Sequence, residues 1–283
     1  MDRKEYLSLI KAALAEDLGE EGDVTSMALF SGTERSVFRL LSKSEGLLCG
    51  IEVFAAVFAE LDGDIAVEPY KKDGEALGVG EVVARVRGPT KWILSGERTA
   101  LNFLSHLSGI ATRTRRLVEA GRAAGPGTPL VLDTRKTLPG MRVLQKYAVA
   151  TGGACNHRMG LYDMVLLKDN HIDAAGGITA AIAAVRRAWG GRFKIEVEAR
   201  RLEDVREALG AGVDRIMLDN MDDATMRRAA ELVAGRVETE ASGNLTRERL
   251  IGLAGSGITY ASFGELTHTV EAFDFSLKQE GAL

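Results

Sequence analysis

The sequence predicts an α/β fold in which the second part of the chain forms a parallel sheet. From residue 129 onward, short apolar runs alternate with helical patterns at spacings of about 21 to 35 residues. The six runs are PLVLDT, MVLLKD, FKIEVEA, DRIMLDN, RVETEAS and ITYASFG. Right-handed βαβ crossovers between such runs make the strands parallel, and the chain is long enough for the sheet to close into a barrel. An open doubly wound sheet is the alternative, but no GxGxxG follows the first run and no P-loop sequence occurs.

The first part of the chain has a mixed pattern, typical of a small α+β domain. Leu7, Ile10, Leu14 and Leu18 recur at helical spacing, and Gly19 follows as a stop signal. A helical run and several short β runs come next, and the segment GEALGVGEVVARVRGPTKWIL is hairpin-like.

A long helical pattern, SGERTALNFLSHLSGIATRTRRLVEAGRAAG, connects the two parts of the chain. Gly109 is the position at which this helix is expected to break. We therefore assign the α+β domain to residues 1–112 and the barrel domain to residues 113–271. The C-terminal segment 272–283 is expected to pack back on the first domain.

The composition is that of an ordinary globular protein and excludes several functional classes. The 283 residues are 46% hydrophobic and 27% charged, with a formal net charge of −4, and no basic-aromatic tract points to nucleic acid. No apolar run approaches the roughly 20 residues of a membrane helix. Cys49 and Cys155 are far apart and lack ligand spacing, and the first residues do not resemble a signal peptide. A cytoplasmic protein is expected, with no membrane partner.

Positive charge is concentrated in residues 131 to 172 of this acidic chain. The window has six Lys or Arg and three Asp, a balance of 6 − 3 = +3, so the remainder sums to −4 − 3 = −7. A cationic cleft in an acidic protein is typical of a site for a small polyanion. The charges lie in DTRKT, NHR and LKDNH, beside turn signals and at the ends of apolar runs, where barrel enzymes build their sites.

Carboxylates at neighbouring strand ends indicate a metal-bound phosphate. Period-two alternation places Glu196 and Glu198 on one side of their strand, and Asp219 ends the next strand. Mg²⁺ takes one or two protein carboxylates together with phosphate oxygens and waters. A salt-bridge ladder inside the barrel is the alternative, and both interpretations can hold for different members.

The last two strands predict phosphate contacts, and arginines predict contacts to planar carboxylates. Ser242 and Gly243 lead into a helix expected near Thr246, and Gly264 leads into another near Thr267, so backbone N–H groups would face an anion. Ordinary turn glycines are the alternative. The remaining candidates are Arg98, Arg135 and Arg158, whose guanidinium groups match carboxylates in two-point hydrogen bonding.

Several long motifs resemble those of the quinolinate phosphoribosyltransferase family. They are colinear over nearly the whole chain, from GDVTS through DTRKTLPGMR, KYAVATGGACNHRMGLYDMVLLKDNHI, EVEA, IMLDNM and EASGN to GELTH. The resemblance implies an α/β sandwich domain followed by an incomplete, seven-stranded α/β barrel. It implies that quinolinate and phosphoribosyl diphosphate (PRPP) react with Mg²⁺ to give nicotinate mononucleotide, diphosphate and CO₂.

The resemblance also implies roles for individual residues. Glu198 and Asp219 would hold the metal, and Lys136 would act with them in catalysis. Arg98 would enter the site of a neighbouring subunit, so a homodimer or higher homo-oligomer with shared active sites is expected. The positions matching quinolinate contacts are Arg135, His157, Arg158 and Lys168, and those around PRPP are Lys136, Glu198, Asp219, Ser242, Gly243 and Gly264.

Several positions depart from the family pattern. Asn244 replaces a second glycine, Phe263 and Glu265 flank Gly264 where small residues are commoner, and Arg200 and Arg201 follow EVEA. A bulkier and more acidic phosphate loop would weaken PRPP binding. His157 stands beside Arg158, which argues against a buried structural histidine, and a histidine that caps a turn is the alternative.

Three other functions fit parts of the sequence. A homologue related to the molybdenum-cluster protein ModD would share the fold and act on another substrate, but the KDNH run favours quinolinate. A barrel lyase could form a Schiff base on Lys168 at its strand end. A lipoyl or biotinyl carrier could present Lys91 on a β-turn, although no Asp or Met flanks it.

Overall fold

The structure is a computed structural model that describes residues 2–282. The chain divides into two compact units. The first unit comprises residues 1–115, 137–153 and 265–283, and the second comprises residues 116–136 and 154–264. The domain boundaries predicted from the sequence remain predictions.

The helices and strands of the second unit alternate as the sequence predicts, with a further short helix, Asp169–Ala175, after the strand Val165–Leu167. A 3-10 helix, Arg3–Glu5, precedes the first α-helix. The α-helices are α1 Leu7–Leu18, α2 Val24–Leu29, α3 Ile51–Leu61, α4 Thr90–Ala123, α5 Arg142–Thr151, α6 Asp169–Ala175, α7 Ile178–Trp189, α8 Leu202–Gly210, α9 Asp223–Val233, α10 Arg247–Gly252 and α11 Glu265–His268. The strands are β1 Arg35–Ser42, β2 Gly46–Leu47, β3 Ala66–Pro69, β4 Ala76–Leu77, β5 Val82–Pro89, β6 Leu130–Leu132, β7 Val165–Leu167, β8 Ile195–Ala199, β9 Arg215–Asp219, β10 Glu238–Ser242, β11 Tyr260–Ser262 and β12 Phe275–Ala282.

The first unit contains an antiparallel sheet with strand order β12-β1-β5-β3. Buried and less buried residues alternate along β1, as expected when one face of a sheet packs against a core. The C-terminal strand β12 pairs with β1 in a register that runs from Ser36↔Ala282 to Ser42↔Phe275. On α3, Phe54 and Phe58 are fully buried and meet edge to face, with ring centroids 5.1 Å apart.

Two local predictions for the first part of the chain are wrong. Helix α4 passes through Gly109 without a break. A side chain at this position would collide with the carbonyl oxygen of Glu271, so the glycine allows the two backbone segments to approach closely. The hairpin-like segment is no hairpin, since β4 pairs with β2 and β5 pairs with β1 and β3. Lys91 therefore lies in the first turn of α4, with its Nζ 4.7 Å from the centroid of the Trp92 ring, and not on a β-turn.

The second unit contains the predicted parallel sheet, with strand order β6-β11-β10-β9-β8-β7. Cys155 adds a single parallel bridge to Leu132 on the other side of β6. Taken in chain order, β6, the segment at Cys155 and strands β7 to β11 make seven neighbouring members of the sheet, and β11 pairs back to β6. Among the described residues, only the pairing between Cys155 and β7 is missing from a closed barrel. We call this sheet the incomplete barrel. Its strand order excludes a doubly wound sheet.

The strands of the incomplete barrel are buried on both faces, which is the usual state of parallel strands flanked by helices. Val197, Ile216 and Leu218 in the strands and Met226 in α9 are fully buried. Within residues 2–282 no helix has the length and the apolar character needed to cross a membrane.

Candidate active site

The carboxyl ends of the parallel strands carry nearly all the predicted site residues. Because the strands run in the same direction, these ends meet at one edge of the sheet, which is where barrel enzymes bind their ligands. Arg135 and Lys136 follow β6, His157 and Arg158 follow Cys155, Lys168 follows β7, Glu198 lies in β8, Asp219 ends β9, Ser242 ends β10 before Gly243, and Gly264 follows β11.

Lys168 and Glu198 form an ion pair at this edge. The Lys168 ammonium donates to Glu198 Oε1 at 2.5 Å, and the backbone N–H of Asp169 donates to Oε2 at 3.3 Å. The Lys168 side chain is 46% exposed and that of Glu198 is 10% exposed. A half-exposed ammonium over a buried carboxylate can be redirected to an incoming anion. The pairing does not suit a Schiff-base amine, which must be uncharged to attack a carbonyl.

Arg135 and Arg158 place two positive charges at this edge, and each has a hydrogen-bond donor that no described residue uses. The Nε atoms of both side chains are buried and have no hydrogen-bond partner among the described residues. Burial and the charge of Arg135 lower the pKa of Arg158. The Arg158 guanidinium has a partner in the carbonyl of Met164, to which Nη1 donates at 3.0 Å. Two guanidinium groups whose charges act on each other, each with a buried Nε that has no partner among the described residues, have the donors and the charge to bind an anion.

His157 is the clearest correction to the sequence prediction, because its side chain is only 6% exposed. Its Nε2 lies 2.9 Å from Glu196 Oε2 and 3.3 Å from Glu240 Oε2. Its Nδ1 accepts the backbone N–H of Arg158 at 2.7 Å. Both ring nitrogens therefore have partners inside the protein. A histidine next to an arginine in sequence can be buried because the loop points the two side chains differently.

The protonation of this cluster is coupled. Burial lowers the pKa of His157, but the hydrogen bonds to Glu196 and Glu240 outweigh burial and raise it to about 9. A ring with two protons could not accept the Arg158 N–H, so this pKa and the Nδ1 contact oppose each other. We assign the neutral ring with its proton on Nε2, because two N–H groups would repel at 2.7 Å. Burial and the charge of Glu240 raise the pKa of Glu196 to about 7.

Sequence reasoning placed Glu240 among the ionisable residues at strand ends but gave it no specific contact, and it overlooked Arg215. Both lie in neighbouring strands: Arg215 Nη1 donates to Glu240 Oε2 at 3.3 Å, and Nη2 donates to Glu238 at 2.9 Å. Glu196 and Glu240 are completely buried. A charged residue inside a short apolar strand was the available signal, since such residues are rarely buried without a partner. We call His157, Glu196, Glu240 and Arg215 the anchor cluster.

The loop after β10 adopts left-handed backbone at two successive positions. Gly243 has a φ of +94°, and a side chain there would collide with Asn220, so only glycine fits. Asn244 has a φ of +48°, a conformation that asparagine tolerates better than most residues. The departure from glycine at this position therefore preserves the loop conformation.

In the loop after β11, contacts within the protein also accommodate the two residues that depart from the family pattern, Phe263 and Glu265. Phe263 is 1% exposed, and its N–H donates to the carbonyl of Leu132 at 2.9 Å, so its ring belongs to the core. Glu265 pairs with Arg113 at 2.9 Å, which offsets its charge. The expected helix near Thr267 begins earlier, at Glu265, and α11 has only 4 residues. Helix α10 has 6 residues with Thr246 as its N-cap, so neither dipole is large.

The carboxylates of Glu198 and Asp219 suit a hard cation such as Mg²⁺. They lie at the ends of paired strands, with Ala199 in register with Leu218. Asp219 accepts only the side-chain N–H of Asn220 in the contacts described, at 2.9 Å, which leaves oxygen capacity for an ion. His157, Glu196 and Glu240 also have ligand atoms within 4.8 Å of one another. The His157 N–H and the Arg215 cation already offset the negative charge of that group, so we assign no metal to it.

Arg98 lies apart from the other predicted residues in the chain, on α4 in the first unit, where its side chain is exposed. Its role in a neighbouring subunit stays a prediction.

Family models match both parts of the chain. The model of the quinolinate phosphoribosyl transferase C-terminal domain matches residues 110–278, and that of the N-terminal domain matches residues 23–108. A probable nicotinate-nucleotide pyrophosphorylase (carboxylating) of Bacillus subtilis is 43% identical over 277 residues, which cover 98% of this chain and 94% of the relative. The chloroplastic nicotinate-nucleotide pyrophosphorylase (carboxylating) of Arabidopsis thaliana is 42% identical, with 96% of this chain and 82% of the relative covered.

Solved structures agree with these matches. The crystal structure of NadC from Streptococcus pyogenes superposes with a TM-score of 0.94 at 40% identity and covers 100% of this chain and 98% of that one. The nicotinate-nucleotide pyrophosphorylase of Francisella tularensis gives a TM-score of 0.93 at 34% identity, with 99% and 98% covered. The chain belongs to the quinolinate phosphoribosyltransferase family.

Proposed function

We propose that this protein transfers the phosphoribosyl group of PRPP to quinolinate with loss of CO₂, a pentosyl transfer that forms nicotinate mononucleotide for NAD biosynthesis. Family membership supports the reaction class. The arginine pair at the edge of the incomplete barrel supports the substrate, because the buried and unpartnered Nε atoms of Arg135 and Arg158 match a small dicarboxylate.

Arg135 and Arg158 would bind the two carboxylates of quinolinate. Each guanidinium group offers two parallel N–H donors to a carboxylate, which fixes the plane of the pyridine ring as well as its charge. Lys168 would add a third positive charge, since its side chain is half exposed and pairs with Glu198 in the contacts described. Binding of a dianion would also offset the burial and the charge of Arg135 that together lower the pKa of Arg158.

The other strand ends would bind PRPP. Gly243 and Asn244 form a left-handed turn directly after β10 at this edge, and the backbone N–H groups of such a turn would contact phosphate oxygens. Glu198 and Asp219 would hold Mg²⁺, which would neutralise the charge that develops on diphosphate as it leaves. Lys136, Ser242 and Gly264 would complete the phosphate contacts.

The chemistry follows from these contacts. The bond from ribose C1 to diphosphate breaks, C1 gains oxocarbenium character, and the quinolinate nitrogen forms the new bond to C1. The ring nitrogen is then positively charged. When the adjacent carboxylate leaves as CO₂, its bonding electron pair stays on the ring carbon next to that nitrogen, and a proton from solvent completes the product. Arg135 and Arg158 would contribute by holding the pyridine ring of quinolinate in one plane.

A product assay tests this proposal. Purified protein is incubated with PRPP and Mg²⁺ and either quinolinate or nicotinate, and diphosphate and CO₂ are measured. We expect release of both with quinolinate alone. Diphosphate without CO₂ from nicotinate would overturn the decarboxylation, and no release with either would favour the ModD-like alternative. An adduct trapped on Lys168 by borohydride would favour the Schiff-base lyase.

The assembly is also a proposal. We propose a homodimer or higher homo-oligomer in which Arg98 completes the site of a neighbouring subunit. Mixing an Arg98→Ala variant with a Lys136→Ala variant is expected to restore activity, because hybrid assemblies contain some intact sites. Subunit exchange without any recovery would contradict shared sites.

The cytoplasmic location stays a prediction. It agrees with Cys49 and Cys155, which are both free. Relatives named for other compartments include a chloroplastic enzyme of Arabidopsis thaliana and a mitochondrial enzyme of Nicotiana tabacum.

A further inference from the structure

The anchor cluster ties the loop after Cys155 to the interior of the incomplete barrel. His157 is the only member on that loop, and it contacts strands β8 and β10 through Glu196 and Glu240. Those strands lie on either side of β9, which supplies Arg215. The loop, β8 and β10 therefore meet at one imidazole ring, and β9 is linked to it through the contact of Arg215 with Glu240.

The contacts leave the His157 ring little freedom. Nε2 donates toward two carboxylates, Nδ1 accepts the Arg158 N–H, and the His157 backbone N–H donates to Asp133 Oδ1 at 2.7 Å. Asp133 follows β6 directly and is fully buried. The backbone and the side chain of His157 are thus both held, and the next residue in the chain is Arg158. The direction in which the Arg158 side chain leaves the loop depends on this restraint.

Stability alone does not explain the anchor cluster. Taking carboxylates out of water is costly, and the attraction within a buried ion pair seldom exceeds that cost. Glu196 Oε1 and Glu240 Oε1 are also buried without hydrogen-bond partners among the described residues. Apolar side chains fill the interiors of most barrels. A buried, partly unsatisfied polar group next to a site is more typical of a positioning function.

We propose that Glu196 and Glu240, braced by Arg215, are positioning residues that hold the His157 ring and thereby aim Arg158 at a quinolinate carboxylate. The inference rests on the proposed function and adds residues that do not touch substrate themselves. His157 then acts through its internal hydrogen bonds, and Arg158 makes the contact.

The test compares Glu240→Gln with Glu238→Gln. Both glutamates pair with Arg215, but Glu238 binds Tyr260 and has no contact with His157 in the hydrogen bonds described. We expect Glu240→Gln to raise the KM for quinolinate by about tenfold, as loss of one charge-assisted hydrogen bond does. The KM for PRPP should change less than about twofold, the usual scatter of a substitution away from the contact. Glu238→Gln should leave both values unchanged.

A double-mutant cycle shows whether Glu240 acts through His157. In a His157→Gln background, Glu240→Gln is expected to add little to the KM for quinolinate, because the ring that it holds is gone. If Glu240→Gln does not fold, Glu240→Asp takes its place, since the shorter carboxylate keeps the charge beside Arg215 but withdraws from Nε2. Thermal unfolding of each variant is measured alongside.

The outcomes separate the two proposals. An active parent protein whose KM for quinolinate is unchanged in Glu240→Gln, or changes additively with His157→Gln, overturns the positioning role and leaves the proposed function intact. A parent protein that releases no diphosphate with quinolinate overturns the proposed function. A loss of kcat with equal changes for both substrates would mark a structural role only and would also overturn the inference.

Discussion

The antiparallel sheet of the first unit and the incomplete barrel of the second unit both contain ion pairs, but they differ in access to water. In the antiparallel sheet, Arg87 pairs with Glu68 at 2.9 Å, and their side chains are 57% and 43% exposed. In the incomplete barrel, Glu240 pairs with Arg215 at 3.3 Å, and the two side chains are 1% and 12% exposed.

The difference in exposure implies different roles for the two ion pairs. An exposed pair is screened and contributes about 0–1 kcal/mol to stability. A buried pair has lost its hydration, so it persists only where hydrogen bonds and neighbouring charges compensate, and its partial charges act through a low dielectric. The barrel concentrates such groups near the strand ends, while the Arg87–Glu68 pair of the first unit lies on the surface.

The largest effect is expected at Arg158. Arg158→Lys keeps the charge but removes the two-point contact to a carboxylate, so kcat/KM for quinolinate should fall on the order of 100-fold. Steady-state kinetics with each substrate varied in turn measures it. Arg142→Lys, outside the proposed contacts, is the matched control. A drop of less than about threefold at Arg158 would remove it from quinolinate binding.

A smaller effect is expected in the loop after β10. Gly243→Ala introduces a side chain at a φ of +94° that also meets Asn220, so the KM for PRPP should rise by about tenfold. Gly235→Ala is the control, because Gly235 has a φ of +70° but open space around it. If both variants behave alike, backbone strain alone is responsible and the loop has no special part in PRPP binding.

The departure at Asn244 should have a minor effect. Its φ of +48° is tolerated by asparagine, so Asn244→Gly is expected to lower the KM for PRPP by no more than about threefold. A much larger gain would mean that the asparagine side chain obstructs the phosphate loop.

The smallest effect is expected in the antiparallel sheet. Arg87→Gln breaks the exposed pair with Glu68 and should lower the free energy of unfolding by less than about 1 kcal/mol. Denaturant unfolding and turnover are measured together. A large loss of either would show that surface pairs in this sheet contribute more than their exposure implies.

Much of the fold was accessible from the sequence because its signals are local. Lys168 and Asp219 were placed at strand ends by the alternation of apolar runs with helices, and the structure has them there. Gly109 and the hairpin-like segment were misread, since a close backbone approach and a strand pairing both depend on partners distant in the chain.

The burial of His157 was inaccessible for the same reason. Glu196 lies 39 positions away in sequence, and no local pattern says that the two side chains meet. Asn244 was recognised as a departure, but only its positive φ explains why the substitution preserves the loop. The site residues that the sequence identified and those that it missed are of the same chemical types. They differ in how far along the chain their interaction partners lie.

A crystal structure of the protein with quinolinate bound tests the central claim most directly. We expect one carboxylate on Arg158 and the other on Arg135, with the His157 ring still held by Glu196 and Glu240. A His157 ring turned away from the two glutamates to contact quinolinate, or an Arg158 without a substrate contact, would contradict this account.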